Sequence, residues 1–319
     1  MRGRVAFGLL VILAIGALVG WRLDVPGAKE QKPPQQQHPR RQLQMQPVAA
    51  PVPLTPWARA SIASIASIAS PSPSHAPKPA ASTDTPPGLT GPGWRLAFNA
   101  GFSGSALDSE LWQTCYPWGD SGAGCTNYGN TEFEWYLPGQ VQTGDGALSL
   151  TASRLPTPGQ AQSGAAEEYG CRSGMVTTGG SFNFEYGYVQ VQARLPMATG
   201  TWPGLWLAAS NLNWPPEIDI MEHWDSQPFY GVYLHTSGPT QETHVPAPDL
   251  GGWHTYAVSW EPNQLTWYLD GQEVYSTNEY VPAQSMYFVA DLAVDDQPTA
   301  TVGCDGTMQI RSVKIWQHS

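Results

Sequence analysis

Apolar and polar residues alternate along much of the chain from Trp94 onwards. Ala147–Ala152 (ALSLTA), Tyr188–Leu195 (YVQVQARL) and Thr255–Trp260 (TYAVSW) repeat with a period of two. This period is typical of strands with one buried face, and no long segment shows the 3.6-residue period of a helix. The pattern predicts an all-β domain.

Turn residues separate these runs. Leu265–Leu269 (LTWYL) is followed by Asp270-Gly271, a strong signal for a two-residue hairpin turn, and then by a returning strand at Gln272–Tyr275. Met308–Trp316 (MQIRSVKIW) alternates again near the end. Many short strands with such turns indicate a sandwich or a barrel.

The chain before residue 94 has a different character. Arg2 and Arg4 precede an apolar run from Val5 to Trp21. We interpret residues 1–23 as a signal peptide or a membrane anchor, and favour the retained anchor because no small-x-small cleavage site follows. With either segment, we expect the rest of the chain to be exported: extracellular, periplasmic or anchored to the outer face of the cytoplasmic membrane.

Residues 24–93 are rich in Pro, Ala, Ser and Gln and are predicted to form a disordered linker. Ser61–Ser70 reads SIASIASIAS, for which a short helix is the alternative. Its isoleucines give only a thin apolar stripe, and Pro71 and Pro73 would end such a helix at once, so the spacer is favoured. Residues 94–319 hold twelve of the fourteen Trp and all four Cys. They form the predicted catalytic domain, which the linker would hold away from a membrane or wall.

Charge follows the same division. Residues 1–93 carry nine Lys/Arg and three Asp/Glu, whereas residues 94–319 carry six and 23, a net charge of −17. An acidic domain repels a polyanion, so nucleic acid is not an expected partner. We expect a monomer whose partner is a polysaccharide substrate, with a possible membrane tether through residues 5–21.

Three carboxylates stand close together in Trp214–Trp224 (WPPEIDIMEHW): Glu217, Asp219 and Glu222. In a strand, residues 217 and 219 share one face. Parity alone places residue 222 on the other face, but one extra residue, a β-bulge near Ile220–Met221, returns Glu222 to the face of the other two. The sequence therefore predicts a bulged strand with three acids on one face.

Such a strand suits a retaining glycosidase. One carboxylate attacks the anomeric carbon while the other protonates the leaving oxygen and then activates water, at a separation of about 5–5.5 Å. A nearby like charge helps the acid to stay protonated near neutral pH. The alternatives are a solvated acidic strand, which the apolar neighbours disfavour, and a calcium site, for which no Asx/Gly loop is present.

At these residues the chain resembles glycoside hydrolase family 16, the group of laminarinases, lichenases and agarases. The family signature E-x-D-x-(x)-E stands here as Glu217-Ile-Asp219-Ile-Met-Glu222, the longer form associated with laminarinases. The resemblance implies that Glu217 is the nucleophile, Glu222 the acid/base and Asp219 the residue that assists between them.

The resemblance covers nearly all of residues 94–319. Further matching segments are Tyr169–Gly174 (YGCRSG), Tyr186–Tyr188 (YGY), Gly200–Trp206 (GTWPGLW), Trp253–Glu261 (WHTYAVSWE) and Trp267–Gly271 (WYLDG). The implied fold is an all-β jelly-roll sandwich of two curved antiparallel sheets, with the substrate on the concave face.

The chain departs from the family at a structural calcium site. Where the family often has acids near the start and in the last strand, this sequence has Ala100, Gly101 and Arg311. Oxygen ligands are therefore missing at both ends, and we predict that this calcium site is absent. We also predict no metal and no cofactor at the carboxylates.

Aromatic residues near the carboxylates are candidate sugar platforms. We expect Trp202 and Trp224 to bind substrate; Trp206 is a third candidate, although its apolar neighbours equally favour a core position. Asn130 in Thr126–Tyr136 (TNYGNTEFEWY) resembles a residue of the family's cleft-lining segment, and a turn-stabilising role is the alternative.

His235 is the remaining candidate substrate-binding residue. The family places a His on the strand next to the carboxylates, where it would hydrogen-bond a carboxylate or a sugar. A lone His on a strand is also often structural.

The four cysteines predict disulfides in an exported protein. Cys115 and Cys125 bracket a short Gly-rich loop, and Cys171 can pair with Cys304, but four cysteines allow three pairings.

Together these features predict a retaining endo-hydrolase of β-linked polysaccharide, with β-1,3- or β-1,3-1,4-glucan as the expected substrate. The alternatives are a transglycosylase, a hydrolase of another β-glycan such as a galactan or a bacterial exopolysaccharide, and an inactive carbohydrate-binding module.

Overall fold

The computed structural model describes residues 85–87, 89–90, 92–119, 127–128, 133–161, 165–247, 249–295 and 303–318. The predicted export segment and most of the predicted linker lie outside these residues. Within the described part of the chain, no helix is long and apolar enough to cross a membrane.

The described residues fold into strands with one short 3-10 helix, Pro138–Gln140. In chain order the strands are β1 Trp94–Gly101, β2 Asn127–Tyr128, β3 Glu134–Tyr136, β4 Val141–Gly144, β5 Ala147–Ala152, β6 Thr157–Gln160, β7 Ala166–Tyr169, β8 Cys171–Ser173, β9 Met175–Thr177, β10 Gly187–Arg194, β11 Thr201–Ala209, β12 Glu217–Glu222, β13 Phe229–His235, β14 Gln241–Pro246, β15 His254–Glu261, β16 Gln264–Leu269, β17 Gln272–Thr277, β18 Met286–Val294 and β19 Gly306–His318.

Two antiparallel sheets form the sandwich. The first sheet has the order β17-β16-β15-β10-β19-β5-β4, with β1 also paired to β19, and the second has the order β14-β13-β12-β11-β18-β9. Two smaller sheets, β2-β3-β8 and β6-β7, accompany them. The predicted all-β jelly-roll sandwich is therefore confirmed.

The core lies between the two sheets and is built from alternate residues of their strands. Val189 and Val191 contribute from the first sheet, and Leu205, Ile218 and Phe288 from the second; all five are fully buried. This arrangement is what the period-two patterns predict, since one face of each strand leaves water and drives folding.

The hairpin predicted at Asp270-Gly271 is present between β16 and β17. Asp270 has φ 50° and Gly271 has φ 79°. Positive φ at both central residues is the requirement of a type I′ turn, which matches the twist of the flanking strands.

The end of the predicted linker contacts the first sheet on the face away from the core. The Tyr188 hydroxyl donates to the Pro87 carbonyl at 3.1 Å, and Leu89 packs against a cluster that includes Trp94 and Trp316. The boundaries that divide the chain at residues 23 and 93 stay predictions.

Arg311 lies where the resemblance would have an acid. Its guanidinium stands over the Trp253 ring at 3.8 Å from the centroid, and Arg194 lies 5.5 Å from the same ring. A cation over an indole is attracted by the negative face of the ring. The predicted absence of a calcium site stays a prediction.

Cys171 and Cys304 form a disulfide, so one of the pairings that the sequence allowed is present. The bond joins β8 to the segment before β19. Cys125 lies outside the described residues, so the local Cys115–Cys125 bond stays a prediction.

Candidate active site

The three candidate carboxylates lie on β12, which carries the predicted bulge. Asp219 stands opposite Tyr233 and Glu222 opposite Gly231, so three steps on β12 face two steps on β13. A matching shift occurs against β11. One extra residue in a strand restores the facing of the residues beyond it. The bulge is therefore confirmed.

The apolar residues of β12 point into the core between the sheets. Ile218, Ile220 and Met221 are all part of the main hydrophobic cluster. At the bulge, the indole Nε1 of Trp267, from the first sheet, donates to the Asp219 carbonyl at 2.9 Å. The core therefore holds the backbone of β12 at the point where its register shifts.

Glu217, Asp219 and Glu222 belong to the opposite face of β12, which we call the site face of the second sheet. Glu217 is half-buried, whereas the exposed fractions of Asp219 and Glu222 are 1% and 7%. Little water reaches the two inner acids, so charges at this site interact more strongly than on an open surface.

His235 lies next to two of the acids. It stands opposite Glu217 in the register, and its Nε2 lies 3.3 Å from Asp219 Oδ2 and 3.7 Å from Glu217 Oε1. Its Nδ1 lies 3.2 Å from the Thr240 hydroxyl. His235 therefore lies against the carboxylates, as it must if it is to hydrogen-bond one of them.

The same three side chains have the geometry to hold a cation. Glu217, Asp219 and His235 each offer one donor atom, and these atoms lie within 4.8 Å of one another. A cation there would occupy the carboxylate that double displacement needs for attack on a sugar. That the site works without a metal stays a prediction.

Aromatic side chains flank the carboxylates along the strand direction. Beyond Glu222, the Trp202 and Trp224 rings lie 5.7 Å apart. Before Glu217, Trp214 is exposed and lies 6.0 Å from the His235 ring. Aromatic rings of the kind on which the C–H faces of sugars stack therefore border the acids at both ends of β12.

Trp206 belongs to the site face and not to the core between the sheets. It stands opposite Asp219 on β11, and its ring centroid lies 6.0 Å from that of Tyr116. Its indole Nε1 donates to Asp291 Oδ1 at 3.3 Å. Trp206 has apolar neighbours in the sequence because both faces of β11 are covered.

The sequence model of glycosyl hydrolases family 16 matches residues 129–303, which is more than half of the chain. The chain belongs to glycosyl hydrolases family 16. The bulged strand, with its acids on one face, lies within the matched residues.

Relatives of this family 16 chain include an endo-1,3-1,4-beta-glycanase of Rhizobium meliloti, 29% identical over 222 residues, with 65% of this chain and 46% of that protein covered. A beta-glucanase of Rhodothermus marinus is 30% identical over 203 residues, with 58% of this chain and 65% of that protein covered. The matches span less than two thirds of either relative.

A solved structure gives the same fold. The catalytic domain of an endo-1,3-beta-glucanase (laminarinase) from Thermotoga petrophila superposes with a TM-score of 0.60 at 25% identity. The match covers 71% of this chain and 98% of that domain.

The segment that resembles the family's cleft lining is placed only in part. Asn130 lies outside the described residues, so its role as a substrate-binding residue stays a prediction. Glu134, from the same segment, is fully buried, and its Oε2 accepts a hydrogen bond from the Val294 backbone N–H at 2.8 Å. Glu134 therefore lies out of reach of a sugar.

Sequence reasoning missed Asp291, a buried acid on the site face of β18. Its Oδ2 accepts a hydrogen bond from the Tyr116 hydroxyl at 2.6 Å and lies 3.5 Å from the Tyr136 hydroxyl. Burial raises the pKa of Asp291 from 3.8 to about 7; these donors, with Trp206, oppose the rise, and the charge of Glu222 adds to it.

Glu134, on β3, is a second buried acid, and the charge of Asp291 acts on it. Burial raises the pKa of Glu134 from 4.5 to about 8; Tyr136 and the Val294 backbone lower it, and the charge of Asp291 raises it further. The signal in the sequence for Asp291 is a lone acid in the apolar run Met286–Val294 (MYFVADLAV). The hydrogen-bond partners of that acid lie far away along the chain, so the run by itself predicts only a buried strand.

Proposed function

We propose that this chain is a retaining endo-hydrolase of β-glucan, acting by double displacement with two glutamates. The observation that carries the proposal is the bulged strand, which presents Glu217, Asp219 and Glu222 on one face beside His235. Without the extra residue, Glu222 would lie on the core side of β12. Retaining hydrolysis needs two carboxyl groups at one sugar, and this strand supplies them.

In the proposed reaction Glu217 attacks the anomeric carbon and forms a glycosyl-enzyme. Glu222 donates a proton to the leaving oxygen, and in the second step takes a proton from the water that releases the sugar. Asp219 lies between them on the same face. The His235 Nε2, near both Glu217 and Asp219, orients the two carboxylates.

The proposed substrate is β-1,3-glucan or mixed β-1,3-1,4-glucan. The relatives in Rhizobium meliloti and Rhodothermus marinus are named as an endo-1,3-1,4-beta-glycanase and a beta-glucanase. Trp202, Trp224 and Trp214 support binding of a polymer, because they border the acids on both sides and sugars stack on aromatic rings.

We also infer that the domain works outside the cytoplasm. The Cys171–Cys304 bond is of a kind that persists in oxidising compartments. The apolar segment of residues 5–21 supports export, either as a cleaved signal or as an anchor.

The decisive experiment measures reducing ends released from laminarin and from barley β-glucan. We expect Glu217→Gln to abolish release and Glu222→Gln to lower kcat by about 10²- to 10⁴-fold, the usual contribution of a general acid–base. The matched control is Glu279→Gln, which removes one exposed carboxyl outside the strands of the site. We expect that control to keep wild-type activity.

Proton NMR of the first product distinguishes a retaining from an inverting mechanism. Retention predicts that the β-anomer appears first and then mutarotates. Equal activity in wild type and Glu217→Gln, or an α-anomer as the first product, would contradict the proposal. Added acceptor sugar tests transglycosylation, which would give products longer than the hydrolytic ones.

A further inference from the structure

Tyr233, on β13, belongs to the site face of the second sheet. Val232 and Leu234, on either side of it, are part of the core between the sheets, and Tyr233 stands opposite Asp219 on β12. The exposed fraction of Tyr233 is 8%, close to the 7% of Glu222. A sugar chain that reaches Glu222 therefore meets a Tyr233 side chain of similar exposure.

The Tyr233 side chain lies along its own strand, over Gly231. Gly231 stands opposite Glu222 in the register. A Cβ atom at residue 231 would collide with the ring and the hydroxyl oxygen of Tyr233, so glycine leaves the room that they occupy. Neighbouring strands are about 5 Å apart. The Tyr233 hydroxyl is therefore directed towards the part of the site face that carries Glu222.

Neighbouring rings hold Tyr233 in this orientation. Its ring lies nearly parallel to that of His235, with 5.9 Å between the centroids, and edge-on to that of Trp224, with 5.8 Å between the centroids. Its hydroxyl oxygen lies 3.3 Å from the Nε2 of His244, on β14, and the His244 ring stacks on Phe229. These contacts fix the position of the hydroxyl before a substrate binds.

The Tyr233 hydroxyl and the Trp224 ring together suit a sugar. A phenol donates one hydrogen bond and accepts up to two, so it can contact His244 and bind a sugar hydroxyl as well. Trp224 offers an apolar ring on which the same sugar can stack. Ligand sites typically combine such apolar walls with a few fixed polar groups that set the orientation of the ligand.

The position of Glu222 decides which sugar this is. In the proposed reaction Glu222 gives its proton to the leaving oxygen, so the departing sugar lies beside Glu222. The Tyr233 ring lies over the residue opposite Glu222, and Trp224 follows Glu222 two positions later in the chain. Both residues therefore border the departing sugar and not the one that Glu217 attacks.

We propose that Tyr233 is a substrate-binding residue for the leaving-group sugar, which stacks on Trp224 and hydrogen-bonds the Tyr233 hydroxyl. His244 is a positioning residue that acts through this hydroxyl, and Gly231 provides the space for it. The inference rests on the proposed function, because the role of Glu222 defines the leaving side.

Tyr233→Phe removes the hydroxyl and keeps the ring. We expect KM on barley β-glucan to rise about 2- to 10-fold and kcat to change less than about twofold, because one hydrogen bond to bound substrate is lost. Tyr268→Phe makes the same change on the face of the first sheet away from the core and should keep the wild-type KM. An unchanged KM in Tyr233→Phe would overturn the proposal.

A substrate without a leaving-group sugar tests the side of the site. Nitrophenyl β-laminaribioside releases nitrophenol, which has no sugar hydroxyls for Tyr233 to bind. We expect Tyr233→Phe to keep kcat/KM on this substrate within about twofold of the wild type while losing kcat/KM on barley β-glucan. Equal losses on both substrates would show that Tyr233 acts on the fold or on another sugar, which would refute the leaving-group assignment.

The role of His244 is tested in two backgrounds. His244→Phe keeps a ring against Phe229 and removes the nitrogen next to the Tyr233 hydroxyl. If His244 acts through that hydroxyl, the substitution raises KM in the wild type and has no further effect in Tyr233→Phe. Additive losses would show that His244 acts independently of Tyr233.

Binding without turnover separates this inference from the proposed function. Calorimetric titration with laminarihexaose compares Glu217→Gln with Glu217→Gln/Tyr233→Phe, and we expect Kd to rise about 2- to 10-fold in the double variant. A weaker Kd in a protein whose wild type cuts neither glucan refutes the proposed function and leaves Tyr233 as a sugar-binding residue. Glucan cleavage by the wild type with equal Kd values refutes the role of Tyr233 and leaves the function standing.

Discussion

The imidazole of His235 has one nitrogen near two carboxylates and the other near the Thr240 hydroxyl. A hydrogen bond to one ring nitrogen fixes the orientation of the ring and biases which nitrogen carries the proton. Thr240 therefore supports the contact of His235 with Glu217 and Asp219, although it lies in the turn between β13 and β14.

Thr240→Val removes this hydroxyl and keeps the shape of the side chain. The loss of one hydrogen bond predicts a fall in kcat/KM of about 2- to 10-fold, with little change in Tm. Steady-state kinetics on barley β-glucan check it. Thr307→Val makes the same change at an exposed position of the first sheet and should leave kcat/KM unaltered; equal losses in the two variants would contradict the role of Thr240.

Glu134 gives a prediction on stability. Its pKa is raised to about 8, so the native state keeps a proton that the unfolded chain releases near pH 4.5. Its contribution to stability is therefore present at low pH and is lost as the pH rises towards 8. Glu134→Gln cannot ionise.

The Tm of Glu134→Gln minus that of the wild type should accordingly rise by several degrees between about pH 5 and about pH 9. Calorimetry at a series of pH values measures this difference. A constant difference would show that Glu134 is ionised in the native state.

Sequence reasoning located the acids of β12 and failed at Asp291, for a physical reason. Glu217, Asp219 and Glu222 are close along the chain, so parity and one bulge suffice to place them. The hydrogen bond from Tyr116 to Asp291 joins residues 175 positions apart. Such a contact depends on which strands pair, and the alternation of apolar residues does not encode that order.

At the scale of strands, β12 is held at its bulge from the opposite sheet. The Trp267 indole donates to the Asp219 carbonyl through the core. A bulge leaves ladder groups without their regular partners, and this bond satisfies one of them. The sequence predicted the bulge from parity, but the contact that supports it comes from a residue 48 positions later.

Trp267→Phe removes that donor. We expect a loss of about 1–3 kcal/mol for a buried carbonyl left without its partner, and a fall in kcat because the backbone between Glu217 and Glu222 is less well held. Trp260→Phe is the matched control. Trp260 is equally buried, but its indole donates to the Pro282 carbonyl, away from β12.

Thermal unfolding and kinetics on both variants make the comparison. The two should lose similar stability, and only Trp267→Phe should lose kcat well below the unfolding temperature. Parallel losses of kcat would mean that the bond acts on the fold as a whole.

At the scale of the molecule, the sequence predicted a sandwich of two antiparallel sheets, but it did not predict the order of the strands within each sheet. Period-two patterns located β5, β10, β15, β16, β17 and β19 close to their observed bounds. β18 was missed because all nine of its residues are buried and no alternation is left to see. Yet β18 pairs with β11 at the centre of the second sheet and carries Asp291.

The predicted absence of the calcium site also concerns the whole domain. Arg311 and Arg194 flank the Trp253 ring, and a guanidinium at residue 311 repels a cation. We expect the Tm to be the same within about 1 °C in EDTA and in millimolar calcium, because a site that binds no calcium transmits no stabilisation from it. A calcium-dependent rise of several degrees in calorimetry would show that other ligands supply the site.

The Cys171–Cys304 bond closes a covalent ring of chain that contains every strand of the second sheet, from β9 to β18. A protease that cuts one surface loop within this ring produces two polypeptides that remain a single molecule. On a denaturing gel, nicked protein should therefore migrate as one band without thiol and as two bands after reduction. Glu217, Asp219 and Glu222, all on β12, would stay on one fragment, and the disulfide would keep that fragment joined to the other until a reductant opened the ring.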